Sequence, residues 1–294
     1  MFPPRVILAA VDFSEPSRVA LTCAARLAKE CQAQLHVLHV EDPLLASAAR
    51  SAGIDLTAET RAELGAFMQK AYPAGDWTPS HHVVTGSPVE ATCHIIERES
   101  SDLVVLGAKG MTGLETKLFG STTEGVLRKA DCSVLVVPDS WTPPRPDLND
   151  LTGMGPVVVG MEATPAAIGA ARIGAELASL LGTTVEIRHV VPATPVLARW
   201  SSHAAAAQQK RVADAKGEIS SALHLAGFTP TKVEVEVGSV AERLAAAVAP
   251  HGDRRPFLVL GRRTSAERGG APGSTAYRVL SLSGAPVLMW LPEH

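Results

Sequence analysis

The chain has 294 residues, of which 46% are hydrophobic, and its 27 basic and 30 acidic side chains give a net charge of -3. This length allows two cores of ordinary size, and the balanced charge argues against a nucleic-acid-binding protein held by phosphate contacts. The sequence has no run of about 18 apolar residues and no secretion signal, so we expect a cytoplasmic protein without a membrane span. The four cysteines include no CxxC pair, and we expect buried thiols.

The first half of the chain alternates strand patterns with helix patterns. Residues 5–11 are a continuous apolar run, which predicts a strand covered on both faces, and Ser14 is the expected N-cap of a helix that ends near Cys31. Further strands are predicted at 34–40, 80–86, 102–107 and 133–138, and further helices at 56–71, 88–99 and 123–130. This alternation predicts parallel βαβ crossovers and an open, doubly wound α/β sheet of five strands.

The second half of the chain repeats the first. At an offset of 150 residues Asp12 faces Glu162, and "GST" recurs at 120–122 and 273–275. Between the copies, residues 138–156 carry five prolines and little periodicity. We therefore expect two tandem domains, at 1–140 and 156–294, joined at 141–155 by a proline-rich linker that is mostly exposed.

A glycine-rich segment, "GAKGMTGLETKLFGST" (107–122), joins the fourth predicted strand to the next helix. Gly107 stands where the backbone turns sharply or approaches a ligand. Gly120 begins the helix, where unpaired N–H groups and the positive end of the helix dipole favour a phosphate. No P-loop is present, and no GxGxxG motif follows the first strand, so a plain glycine-rich turn remains the alternative.

The spacing G-x2-G-x9-G-[ST] in this segment resembles the ATP-binding signature of universal stress proteins. The stretches "VILAAVDFSE", "LHV" and "GSPVEA" resemble the same family, and the likeness extends over both copies. It implies an adenine nucleotide, ATP, with Mg²⁺ accompanying the triphosphate, although no dedicated carboxylate cage for the metal is visible.

The resemblance also implies roles for individual residues at the carboxyl ends of the strands. Asp12 would accept hydrogen bonds from the ribose hydroxyls, Ala10 would line the base pocket, and the Val40 backbone would bind the adenine edge. The ribose would lie between Leu106 and Gly107, and the phosphates would be held by Gly110, Gly120, Ser121 and Thr122.

The second copy departs from this pattern. Glu162 replaces Asp12, Thr264 stands where Gly110 would be, and the stretch before Gly273 is one residue shorter. We therefore expect a degenerate site formed by Glu162, Gly261, Thr264, Gly273 and Ser274. The alternative is that Arg262 and Arg263 bind a phosphate in a different geometry.

The family also suggests how the copies associate. Its members commonly dimerise through the last strand, and here "SVLVV" and "PVLMW" would pair antiparallel as a pseudo-dimer within one chain. Two chains could then associate as a homodimer.

Three functional classes remain open at this point: a nucleotide-binding stress or signalling regulator, a slow ATPase, and a nucleotide-free interaction module. No catalytic base or arginine finger is convincingly placed near Gly120, and no G-x-S-x-G elbow exists, which favours the regulator. No metal site is expected either. His36 and His39, like His81 and His82, should point to opposite faces of their strands.

Overall fold

Two compact units divide the chain, one within residues 3–152 and one within residues 153–263 and 272–294. The computed structural model describes the following residues: 2–73, 79–109, 120–143, 151, 153–162, 165–193, 201–249, 255–262 and 274–292. Across these segments, every helix is too short or too polar to cross a bilayer.

The first unit contains five strands and five described helices in alternation. They are β1 (Val6–Val11), α1 (Glu15–Cys31), β2 (Gln34–Glu41), α2 (Pro43–Ser51), α3 (Leu56–Ala71), β3 (Ser80–Thr85), α4 (Pro88–Arg98), β4 (Leu103–Gly107), α5 (Ser121–Lys129) and β5 (Ser133–Val137). The Ser14 hydroxyl accepts a hydrogen bond from the Ser17 amide, which confirms the predicted N-cap of α1.

Helix α2 was not predicted from the sequence. The Asp42 side chain caps it by accepting hydrogen bonds from the amides of Leu44 and Leu45. Only Ala46 and Ala49 of its nine residues are buried, while the Leu44 side chain is 81% exposed. The helix therefore lacks the apolar stripe on which the sequence prediction depends.

The strands of the first unit are all parallel, in the order β3-β2-β1-β4-β5. The chain proceeds outward from β1 to β3 and then crosses back to β4, so the winding reverses between β1 and β4. Helix α1 packs against β1, β4 and α3, whereas α4 packs against α5. Right-handed crossovers on the two sides of the reversal place these two helix pairs on opposite faces of the sheet.

The second unit repeats this arrangement. Its elements are β6 (Val157–Gly160), α6 (Pro165–Leu180), β7 (Val185–Val191), α7 (Ser201–Leu225), β8 (Lys232–Val237), α8 (Val240–Ala247), β9 (Phe257–Gly261), α9 (Ser274–Leu282) and β10 (Val287–Trp290). Its parallel strands have the order β8-β7-β6-β9-β10. The predicted fold class, an α/β fold with five parallel strands in each copy, is confirmed.

The proline-rich stretch between the copies differs from its prediction. Trp141, Leu151 and Met154 are only 3%, 0% and 5% exposed, so the expectation of a mostly exposed linker was wrong for its described part. The Leu151 amide also donates a hydrogen bond to Glu30 Oε1 of α1, at 3.1 Å. Large apolar side chains between the prolines are buried here because their transfer out of water outweighs the preference of the prolines for the surface.

The cysteines form no disulfide. Cys23 and Cys132 are buried as expected, but Cys31 and Cys93 are half-buried. Burial raises the pKa of the Cys23 thiol to about 12, and it raises that of Cys31 to about 12 as well. These side chains therefore stay protonated at neutral pH and behave as small apolar groups.

Candidate functional site

The carboxyl ends of β1, β2 and β4 meet at one edge of the first unit's sheet. Ala9 is level with Val105 of β4, and Ala10 is level with Leu38 of β2. Because the strands are parallel and adjacent, five of the predicted site residues share this edge at the reversal of winding: Ala10, Asp12, Val40, Leu106 and Gly107. Gly120, Ser121 and Thr122 lie at the start of α5. Gly110 lies outside the described residues.

Asp12 directly follows β1, and its carboxylate is held in place locally. Oδ1 accepts hydrogen bonds from the Ser14 amide at 3.1 Å and from the Ser14 hydroxyl at 2.5 Å. The Asp12 amide donates to the hydroxyl of Ser17 at 3.3 Å. These bonds fix the orientation of a half-buried carboxylate next to the first turn of α1, so that it suits a ligand that donates hydrogen bonds from hydroxyl groups.

Phe13 has an unusual backbone conformation beside this carboxylate. Its φ angle of 63° is in the left-handed region, which costs a bulky residue about 1–3 kcal/mol. Its ring lies 4.3 Å from that of His39 and 5.5 Å from that of Phe67, and these aromatic contacts offset the strain. Nothing in the sequence marks Phe13 as strained, and sequence reasoning missed it.

His39 has a structural role that recurs in the second unit. Its Nδ1–H donates to the carbonyl of Val11 at 3.0 Å, and that of His189 donates to the carbonyl of Met161 at 2.8 Å. Each bond ties the end of one strand to its neighbour. This explains why the sequence repeat preserves the histidine.

Gly107 is required by close packing. A Cβ atom there would lie 3.0 Å from the carbonyl oxygen of Pro16 and 3.2 Å from that of Lys109. The sequence left open whether Gly107 permits a sharp turn or the approach of a ligand, and the structure adds a third reason: the start of α1 passes directly against it. Its carbonyl accepts a hydrogen bond from the buried hydroxyl of Thr123, at 2.8 Å.

The amino terminus of α5 carries no capping side chain. Gly120 is its N-cap, with φ -65° and ψ 142°, an extended conformation that any residue can adopt. In contrast, side chains of Ser14, Asp42 and Asp55 cap α1, α2 and α3. The first-turn amides of α5 are thus capped by no side chain among the described residues, and together with the positive end of the helix dipole they suit an anion.

A buried carboxylate at the same edge was missed from the sequence. Glu41, the last residue of β2, is 4% exposed, and its Oε2 accepts hydrogen bonds from the hydroxyls of Thr57 at 3.2 Å and Thr85 at 3.1 Å. Its Oε1 has no hydrogen-bond partner within the described part of the chain. The sequence could have indicated Glu41, because this residue directly follows the strand pattern of residues 34–40 and so lies at the carboxyl end of β2.

The second unit lacks the close packing of the first at the equivalent glycine. Within the part of the chain that the structure describes, a Cβ atom on Gly261 would meet only the Ala170 Cβ, at an ordinary 3.7 Å. Glu162 is exposed, whereas Arg262 is 5% exposed and its amide donates to the Trp290 carbonyl at 2.6 Å. Arg263, Thr264 and Gly273 lie outside the described residues, so the degenerate second site stays a prediction.

The sequence matches to known proteins that follow cover the first unit of the chain. The model of a family described as "Universal stress protein family" matches residues 4–138. The universal stress protein MJ0531 of Methanocaldococcus jannaschii is 33% identical over 137 residues, which are 45% of this chain and 80% of that protein. The universal stress protein YxiE of Bacillus subtilis is 28% identical over 144 residues, which are 45% of this chain and 97% of that protein.

Solved structures extend the likeness to the whole chain. The crystal structure of a universal stress protein from Archaeoglobus fulgidus has a TM-score of 0.62 and 17% sequence identity, and the match covers 99% of each chain. At this identity the likeness shows the fold alone, and it includes the second unit.

Proposed function

The chain belongs to the universal stress protein family, and we propose that its first unit binds ATP, with Mg²⁺ on the triphosphate, to regulate a cytoplasmic stress or signalling response. The observation that carries the proposal is the start of α5. Gly120 has a backbone conformation open to every residue, so its lack of a side chain is not required by the backbone. No described side chain caps the first-turn amides, from which phosphate oxygens would accept hydrogen bonds.

The rest of the edge supports a nucleoside attached to that phosphate. The Asp12 carboxylate is fixed through Oδ1 beside the reversal of winding, as a ribose-binding acceptor needs to be. Ala10, near the end of β1, carries only a methyl group, which suits contact with a flat base. Leu106 is 3% exposed, so it would support the nucleoside mainly through its backbone.

A regulator is favoured over an ATPase by the side chains described around the helix start. Glu124 is the acidic residue in the first turn of α5, and its carboxylate is ion-paired with Arg128 at 2.7 Å on the same helix. A paired carboxylate is poorly suited to activate a water molecule. Slow hydrolysis on the same scaffold is the second candidate.

The test is nucleotide binding by the full chain. Isothermal titration with ATP and Mg²⁺ is expected to give one site per chain, since the second copy departs from the pattern. Gly120→Val should weaken binding by at least about 10-fold, equivalent to about 1.4 kcal/mol, because the new side chain occupies the phosphate position. Gly273→Val, its equivalent in the second copy, is the matched control and should leave the Kd unchanged.

Further measurements separate the alternatives. Asp12→Asn, which keeps the size of the side chain, should also weaken ATP binding by about 10-fold because it replaces an ionic acceptor of the ribose hydroxyls. Phosphate release followed over hours would identify a slow ATPase if Gly120→Val abolishes it. If neither ATP, ADP, AMP nor cyclic AMP binds to wild-type protein, the proposal fails and a nucleotide-free interaction module is favoured.

A further inference from the structure

Two histidines and a glutamate from three different elements converge in the first unit. His36 Nδ1 lies 3.0 Å from His82 Nε2, and the Glu99 carboxylate lies 3.7 Å from the first nitrogen and 3.8 Å from the second. His36 and His82 are the third residues of β2 and β3, near their amino ends, and Glu99 directly follows α4. The cluster therefore belongs to the edge of the sheet opposite the candidate nucleotide site.

The strand register explains why these histidines meet although the pairs within each strand do not. His36 is level with Ser80, and His82 lies two residues beyond Ser80 on the same strand. Side chains two residues apart share a face, so His36 and His82 are diagonal neighbours. Their imidazole rings are parallel, with centroids 5.3 Å apart.

The separations suit a metal ion. Two ligands that are each bound about 2.0–2.1 Å from a tetrahedral Zn²⁺ lie roughly 3.3 Å apart, close to the distances in this cluster. Two imidazoles and one carboxylate form a donor set typical of Zn²⁺ and related transition-metal ions, whereas Mg²⁺ and Ca²⁺ prefer oxygen ligands alone. The His36, His82 and Glu99 side chains are 10%, 17% and 23% exposed, which leaves a path for an ion.

Arg98 currently provides the cation beside this carboxylate. Its Nη2 donates to His82 Nδ1 at 2.8 Å, and its Nε donates to Glu99 Oε1 at 2.7 Å. Binding of an ion through His82 Nε2 would require the ring proton to move to Nδ1 and the guanidinium to turn away. The Arg98 side chain is 46% exposed, so it can move into solvent.

The second unit has a cation at the equivalent position. The strands β7 and β8 have the same register as β2 and β3. Glu186 therefore takes the position of His36, and Glu234 takes the position of His82. Glu186 and Glu234 thus replace the two histidines, and the Arg188 guanidinium pairs with both carboxylates. In the second unit, a guanidinium therefore lies against the two side chains that replace the histidines.

We propose that His36, His82 and Glu99 bind a divalent transition-metal ion of the Zn²⁺ type, at a site separate from the nucleotide crevice. The ion would link β3, the edge strand of this unit, to β2 and to the end of α4. Because the site depends on none of the nucleotide-binding residues, it can be tested without nucleotide.

The experiment uses the full chain after removal of metal by a chelator and dialysis. Zn²⁺ is titrated calorimetrically, and Co²⁺ is titrated while the visible absorption bands of tetrahedral cobalt are recorded. Wild-type protein should bind one more tight equivalent of Zn²⁺ than His82→Ala, and should show cobalt bands that this variant lacks. His81→Ala is the matched control, because His81 is exposed on the opposite face of the same strand, and it should behave as wild type.

His36 is buried, so its replacement would disturb the core and could prevent folding. Glu99 is therefore chosen for the second variant. Glu99→Gln keeps the size of a half-buried side chain and should weaken Zn²⁺ binding by about 10-fold or more. Zn²⁺ should also raise the Tm of wild-type protein but not that of His82→Ala. Equal stoichiometry and affinity in His81→Ala, His82→Ala and Glu99→Gln would overturn the proposal and assign the binding to other histidines.

Discussion

Replacing Gly107 by alanine would place a methyl group against backbone atoms. The new Cβ would lie 3.0 Å and 3.1 Å from the carbonyl oxygen and carbon of Pro16, and 3.2 Å from the carbonyl oxygen of Lys109. Ordinary contacts of this kind begin at 3.4 Å, and backbone at the start of a packed helix cannot rotate aside as a flexible side chain can. We expect overpacking to cost about 1–3 kcal/mol, offset by about 0.4–1 kcal/mol from the reduced freedom of the unfolded chain.

The second unit offers a matched control. Gly261 ends β9 as Gly107 ends β4, but among the described residues a Cβ there would meet only the Ala170 Cβ, at 3.7 Å. Gly261→Ala should therefore keep the entropic gain and stabilise its unit by about 0.4–1 kcal/mol. The free energies of unfolding of the two variants should therefore change in opposite directions and differ by about 2 kcal/mol.

Urea unfolding without nucleotide measures this difference. With an m-value of about 2 kcal/mol/M, Gly107→Ala should lower the midpoint by roughly 0.5–1 M, whereas Gly261→Ala should raise it slightly. Hydrogen exchange of peptides from β4 and β9, followed at increasing urea, assigns each shift to its unit. Equal midpoints for the two variants would refute the close approach of Pro16 to Gly107.

Three other expectations concern the cysteines of α1, Arg188 and Thr123. Cys23 and Cys31, with pKa values raised to about 12, should react slowly with iodoacetamide at pH 8 in folded protein and rapidly in urea. Because the folded protein keeps these thiols neutral, their contribution to stability is complete below the ordinary cysteine pKa of 9.0. It should be lost as the pH rises from about 9 to 12. Arg188→Met should destabilise the second unit by about 2–4 kcal/mol in urea unfolding, because Glu186, Glu234 and Glu236 lose their shared cation, and Glu186→Gln should cost less. Thr123→Val should lower stability by about 1–3 kcal/mol, because the Gly107 carbonyl loses a buried donor; an unchanged midpoint would contradict that role.

The strands could be predicted from the sequence because they are covered on both faces. Residues such as Leu8 and Val104 are 0% exposed, and short continuous apolar runs like theirs are typical of parallel strands covered on both faces. The same runs, followed by Asp12 and Gly107, predicted which edge of the sheet carries the candidate site. Helix α2 escaped prediction because its stability comes from the Asp42 cap and not from an apolar stripe.

The histidine cluster depends on a feature that the sequence does not specify. Alternation along a single strand places the side chains of His36 and His39 on opposite faces, but it contains no information on the register between β2 and β3. That register places His82 diagonally across from His36, and the end of α4 then brings Glu99 to both. The left-handed backbone of Phe13 is likewise stabilised by packing against residues distant in the chain, His39 and Phe67.

Two hydrogen bonds join the start of α5 to the chain that leaves β4. The Thr123 hydroxyl holds the Gly107 carbonyl at 2.8 Å, and the Gly120 amide holds the Ala108 carbonyl at 3.1 Å. These bonds hold the end of β4 next to the start of α5. For a flexible loop between two such fixed ends, doubling the loop length costs only about 0.6 kcal/mol of closure entropy. The first-turn amides of α5 therefore keep a fixed position relative to the end of β4.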